Sequence, residues 1–119
     1  MWDFDLAFGN ASREKNQGPE GWYIRMYRLN YYIMLNSFVD NAASAYWKDH
    51  REIFGSLVDS VPVYRAMVSK AIENEYRRWP ILKNTENWAL KDPYETYDEA
   101  VSAMVEWMRK RYEWIDGEI

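Results

Sequence analysis

A chain of 119 residues with a net charge of −4, no cysteine, seven tryptophans and ten tyrosines is sized for one compact domain. The acidic balance argues against a nucleic-acid binder, which needs a basic face, and the lack of cysteine excludes a disulfide frame and a thiolate metal site. No apolar run approaches the ~20 residues that span a bilayer, and Met1-Trp2-Asp3-Phe4-Asp5 lacks the basic end and apolar run of a signal peptide.

Residues 2–8, Trp2-Asp3-Phe4-Asp5-Leu6-Ala7-Phe8, read as a short extended segment or buried strand. In an extended backbone, alternate side chains share a side, so Asp3 and Asp5 point one way and Phe4 the other. Carboxylates held in this manner suit a hard divalent cation such as Mg²⁺, the usual partner of a transferring phosphate. Since the motif lies at the first residues, the chain is expected to be the back half of an enzyme. Residues 9–21 carry Asn10, Ser12, Asn16, Gly18 and Pro19 and read as a flexible loop. Residues 22–24 read as a second short extended piece, and Asn30 caps a short helix near 30–36.

Ser37 is a good N-cap for a helix near 37–54, with Phe38, Ala42, Ala45, Tyr46, Asp49 and Ile53 on one face, Trp47 alongside and Gly55 as its stop. Ser60 opens a helix near 61–79, with Pro62 in the first turn, where its missing N–H costs little. Its face is Tyr64, Met67, Val68, Ala71, Ile72 and Glu75, continued by Tyr76 and Trp79, and Pro80 ends it. Residues 83–93 read as a second loop anchored by Trp88 and Leu90. Thr96-Tyr97-Asp98-Glu99 is a capping box for a helix near 97–116, whose face carries Val101, Met104, Val105, Met108, Tyr112 and Ile115, widened by Trp107 and Trp114. The expected fold is mainly α, a single helical domain over 1–119 with a short extended N-terminal segment.

Four segments, in order, resemble the CotH family of spore-coat, kinase-like proteins. Trp2 to Asn10 is similar to that family's mid-chain signature. Tyr31 to Phe38 with Trp47 resembles its aromatic-leucine run and helical tryptophan. Arg78-Trp79-Pro80-Ile81-Leu82 is similar to its arginine-tryptophan-proline stretch. Thr96 to Glu99, continued through Trp107, Arg111 and Trp114-Ile115-Asp116, resembles its closing helix. The resemblance implies the helical C-terminal part of an atypical kinase-like fold, in a bacterial parent that uses ATP and Mg²⁺ to phosphorylate protein Ser or Thr in a spore coat or secreted setting. It implies Asp3 as a Mg²⁺ ligand and Asp5 as a second ligand or a brace. The family's nucleotide-clamping lysine, phosphate-covering loop and catalytic-loop residues belong before Asp3, so no catalytic residue is assigned here. The chain alone is expected to hold no cofactor and to be inactive, because positioning and charge neutralisation supply nearly all of phosphoryl transfer. Its partners would be the preceding part of the same protein, a protein substrate of the parent, and a second copy through an apolar strip at Trp2, Phe4, Leu6 and Phe8.

Two other readings stand beside this one. The first is a non-catalytic structural or interaction module of a coat or extracellular assembly. The second is an Asp-x-Asp phosphatase, which would need a parallel sheet that the helical pattern does not offer. His50 is the only histidine and has no partner for base catalysis. Asn10-Ala11-Ser12 fits a glycosylation sequon, a pattern frequent by chance. Arg77 and Arg78 suit the negative end of a helix dipole better than an anion site.

Overall fold

The computed structural model describes residues 7–10, 18–22, 42–82 and 94–119. Three helices make up most of them: α1, Ser44–Met67; α2, Ser69–Arg78; and α3, Tyr97–Glu118. The described residues contain no strand, as a mainly α chain requires, and none of their helices is long and apolar enough to cross a membrane. Asp3, Asp5, the helix expected near 30–36, the Ser37 cap, Phe38, Trp88 and Leu90 lie outside the described residues.

α1 and α3 run antiparallel, the start of one against the end of the other. Ser44 Oγ donates to the Ile119 carbonyl at 3.1 Å. Trp47 Nε1 donates to Asp116, and further along Arg65 makes a two-pronged pair with Asp98. Trp47 and Val58, three helical turns apart, are the buried apolar residues of this seam. The Trp47 ring stacks on Phe54 at 5.4 Å and meets Tyr112 at 5.2 Å.

Continuity of α1 through Gly55 and Pro62 corrects the expected break there. Gly55 keeps a φ outside the left-handed region, and a Cβ on it would meet only the edge of the Tyr112 ring at 3.7 Å. A helical glycine costs about 1 kcal/mol relative to alanine, less than the packing gained by carrying Trp47 and Val58 across the same partner helix. Ser60 does not begin a helix; its hydroxyl turns back to the Leu57 carbonyl at 2.6 Å, as Ser56 does to Ile53 at 2.7 Å. The interruption falls instead at Val68, with φ −98° and ψ 8°. There the bonds Val68 N–H to Tyr64 O and Ile72 N–H to Val68 O carry the ladder into α2.

The face expected to be core on α1 is also corrected. Tyr46 and Ile53 are 58 % and 57 % exposed, and Tyr64, Met67 and Val68 are exposed as well. The stripe that meets α3 contains Arg51 and Arg65, which apolar periodicity counts against burial. Both guanidiniums find carboxylates on α3, at Asp116 and Asp98. α2 ends at Arg78, and Trp79, just before Pro80, leaves helical geometry at φ −133° and ψ 85°. On α3 the capping box is complete, with Glu99 N–H donating to Thr96 Oγ1 and Thr96 N–H to Glu99 Oε2.

Candidate functional site

Ala7 to Asn10 form a tight turn immediately after the acidic segment. Asn10 N–H donates to the Ala7 carbonyl at 3.2 Å, and both central residues have positive φ, Phe8 at 56° and Gly9 at 85°. Two positive φ values are the mark of a type I′ turn, which favours Gly, Asn or Asp at its centre. Phenylalanine in that region costs on the order of 1 kcal/mol or more, so something outside the turn must hold it there.

Trp107 of α3 is the retaining surface. The Phe8 ring meets the indole edge-on, with centroids 6.1 Å apart and planes at 77°. Gly9 lies closer still. A Cβ on it would stand 2.6 Å from Trp107 Cδ1 and 2.8 Å from Nε1, distances that real side chains do not adopt. Gly9 is therefore required twice, by its φ and by the indole.

One turn further along α3, Arg111 holds a second piece of the same region. Its Nη1 donates to the carbonyls of Pro19 and Gly21, each at 2.8 Å. The guanidinium lies 5.3 Å from the Trp22 ring and 4.7 Å from Trp114, and the two indoles contact each other at 4.9 Å. Burial holds the Arg111 pKa below the ordinary guanidinium value, yet the group remains a cation. Trp107, Arg111 and Trp114 follow at spacings of four and three, on one face of α3. That face anchors both ends of the expected loop 9–21. Beside the turn, Phe8, Trp47, Phe54, Trp107, Tyr112 and Ile115 line an apolar groove of about 440 Å³.

Among the described residues no group of three or more His, Cys, Asp or Glu side chains stands ready to hold a metal. Asp3 and Asp5, the carboxylates expected to hold Mg²⁺, lie outside the described residues. His50 is taken up locally. Its Nδ1 donates to the Tyr46 carbonyl at 2.9 Å, and its ring stacks on Tyr46 at 4.0 Å. Arg78 lies over the neighbouring Trp79 ring at 5.6 Å. Sequence reasoning singled out the acidic pair, which lies outside the described residues, and gave Trp107 and Arg111 no task beyond the closing helix. The signal that marks them is their shared i, i+4 register with a further tryptophan at i+7.

The family model described as CotH kinase protein matches residues 1–115. No curated protein and no solved structure matches the chain.

Proposed function

Because this chain belongs to the CotH kinase protein family, we propose that it supplies the metal-ligand-bearing, C-terminal part of an ATP-dependent kinase acting on protein Ser or Thr, in a spore coat or secreted bacterial setting. The observation that carries this reading is the family match across the acidic motif and the helices behind it. The turn fixed on Trp107 directly after that motif supports it further. In this reading Asp3 ligates Mg²⁺, and Asp5 is a second ligand or braces the segment. The ion would neutralise phosphate charge during transfer. The helical pair α1–α3 acts as the scaffold from which the acidic segment is presented. The test is transfer of labelled phosphate from ATP to a general protein substrate by the full-length protein, with Asp3→Ala as the control. Loss of transfer with retained helix content supports the reading; undiminished transfer removes the metal assignment.

A second reading, a docking module without chemistry, is favoured by one observation. α1 leaves Tyr46, Ile53, Leu57, Tyr64 and Met67 exposed, with Met67 at 74 %. A contiguous apolar strip of this kind is uncommon on a surface with no partner.

A further inference from the structure

We propose that the outer face of α1 pairs with the same face of a second copy of this chain, as an antiparallel two-stranded coiled coil about a two-fold axis level with Gly55; this names the partner in the docking reading above, rests on that reading, and owes nothing to the metal assignment. Along α1, Tyr46, His50, Ile53, Leu57, Ser60, Tyr64 and Met67 follow at alternating spacings of four and three. That is the a/d stripe of a coiled coil carried over about three heptads, with Tyr46 at d and His50 at a. Tyr46, Ile53, Leu57, Tyr64 and Met67 are each more than half exposed. The contacts with α3 leave this stripe clear. Arg51, Gly55 and Arg65, which meet Asp116, Tyr112 and Asp98, stand at b and f positions of the same repeat, on another side of the helix.

The stripe is complementary to itself in one register. A two-fold interface sets the same patch of both copies together. With the axis level with Gly55, Tyr46 lies opposite Tyr64 of the second copy, Ile53 opposite Leu57, and His50 opposite Ser60, each pair an a position against a d position. Apolar residues thus meet apolar ones, and the two polar residues meet each other. A shift by one heptad in either direction sets His50 against Met67 or Ile53, which buries an imidazole beside a side chain that offers it no hydrogen bond. Polar positions inside an apolar stripe select register in this way. Among the flanking e and g positions from Trp47 to Val68, Asp49 alone carries a charge, so no row of like charges opposes the approach. The flanks add Val63, 61 % exposed, and Phe54, 40 % exposed, to the apolar surface. Counting roughly 150 Å² or more for each large side chain, two such faces bury about 1,200 Å² in total, the lower edge of a specific interface.

The chain has no cysteine, so introduced thiols read the register directly. His50→Cys with Ser60→Cys in one chain places two thiols about 15 Å apart along α1, beyond the ~7 Å between Cα atoms that a disulfide tolerates, so no bond closes within a copy. Between copies, each of these thiols faces the other. Mild oxidation of the full chain should therefore give a disulfide-linked dimer in the double variant and none in either single variant, whose like thiols also stay about 15 Å apart. Sedimentation of the wild-type chain should show a monomer–dimer equilibrium. Leu57→Glu with Tyr64→Glu should weaken it at least a hundredfold, with far-UV circular dichroism unchanged. Linked dimers from either single variant, or none from the double variant, overturn the antiparallel register while the docking reading stands. A strict monomer overturns the second copy as the partner and leaves the face to a partner of another kind. A dimer that persists in Leu57→Glu with Tyr64→Glu removes the face itself, and the docking reading with it.

Discussion

Trp47 and Asp116, 69 residues apart in sequence, are joined by the indole N–H donating to carboxylate Oδ1 at 3.0 Å. Arg51 Nη1 donates to both oxygens of the same carboxylate, Oδ1 at 2.7 Å and Oδ2 at 3.0 Å. One acidic side chain at the end of α3 thus orients the one large buried ring of α1 and accounts for a charge on the face that meets its neighbour.

The first prediction concerns pH. The Trp47 hydrogen bond, and after it the Arg51 pair, hold the Asp116 carboxyl below its ordinary value. A depressed folded-state pKa means stability that is present above the unfolded value of about 3.9 and is lost as pH falls through the folded one. Asp116→Asn should therefore lower the melting temperature at pH 7, and the gap to wild type should close as pH is taken below the folded-state value. A gap that persists unchanged into strong acid would contradict the ionic account.

Gly55 offers a gain. It lies inside α1 at a helical position, and an added Cβ would make ordinary contact with Tyr112 at 3.7 Å. Gly55→Ala should stabilise the chain by about 0.5–1 kcal/mol through the lost freedom of the unfolded state. Urea denaturation measures it, and a loss of stability would mean that the helices approach more closely than this contact implies.

At the start of α3, Thr96 Oγ1 accepts the Glu99 N–H at 3.2 Å. Thr96→Ala should cost about 1 kcal/mol, and Thr96→Ser should restore most of it. Equal stability of all three chains in thermal melts would show that the cap contributes nothing.

How far these features are legible in sequence differs element by element. α3 was readable from both ends of its signal, because a capping box and a run of apolar positions coincide at Thr96–Ile115 and local propensity agrees with the final packing. α1 and α2 were not. Gly55, Ser60 and Pro62 are strong local punctuation, yet the partner helix holds the chain helical through all three, and the actual interruption at Val68 carries no such residue. The stripe that meets α3 was hidden because the partly exposed Arg51 and Arg65 lie along it, and only knowledge of Asp116 and Asp98 across the seam gives those arginines a place there. At the site, Phe8 at positive φ was not legible, since its retention depends on Trp107 roughly one hundred positions away. Arg111 reads as a helix cation until Pro19, Gly21 and Trp22 are seen around it.

Association is the fourth prediction. Phe8 is 47 % exposed, and the exposed side of α1 runs from Tyr46 to Met67. Burying such apolar surface is worth about 25 cal/mol per Å², so the chain should self-associate as concentration rises. Sedimentation equilibrium across a concentration series should show this, and Leu57→Glu with Tyr64→Glu should abolish it. A strict monomer at the highest concentration would show that the strip is covered by its own chain.

The central claim is that Asp3 carries the metal on which phosphate transfer depends. Its most direct measurement compares labelled-phosphate transfer from ATP by the full-length protein and by Asp3→Ala, with Mg²⁺ present and helix content checked in both. Removing one preorganised electrostatic partner of the transition state costs about 10²-fold or more, and the account predicts a loss of at least that size with the fold retained. Transfer by Asp3→Ala at the wild-type rate would contradict it.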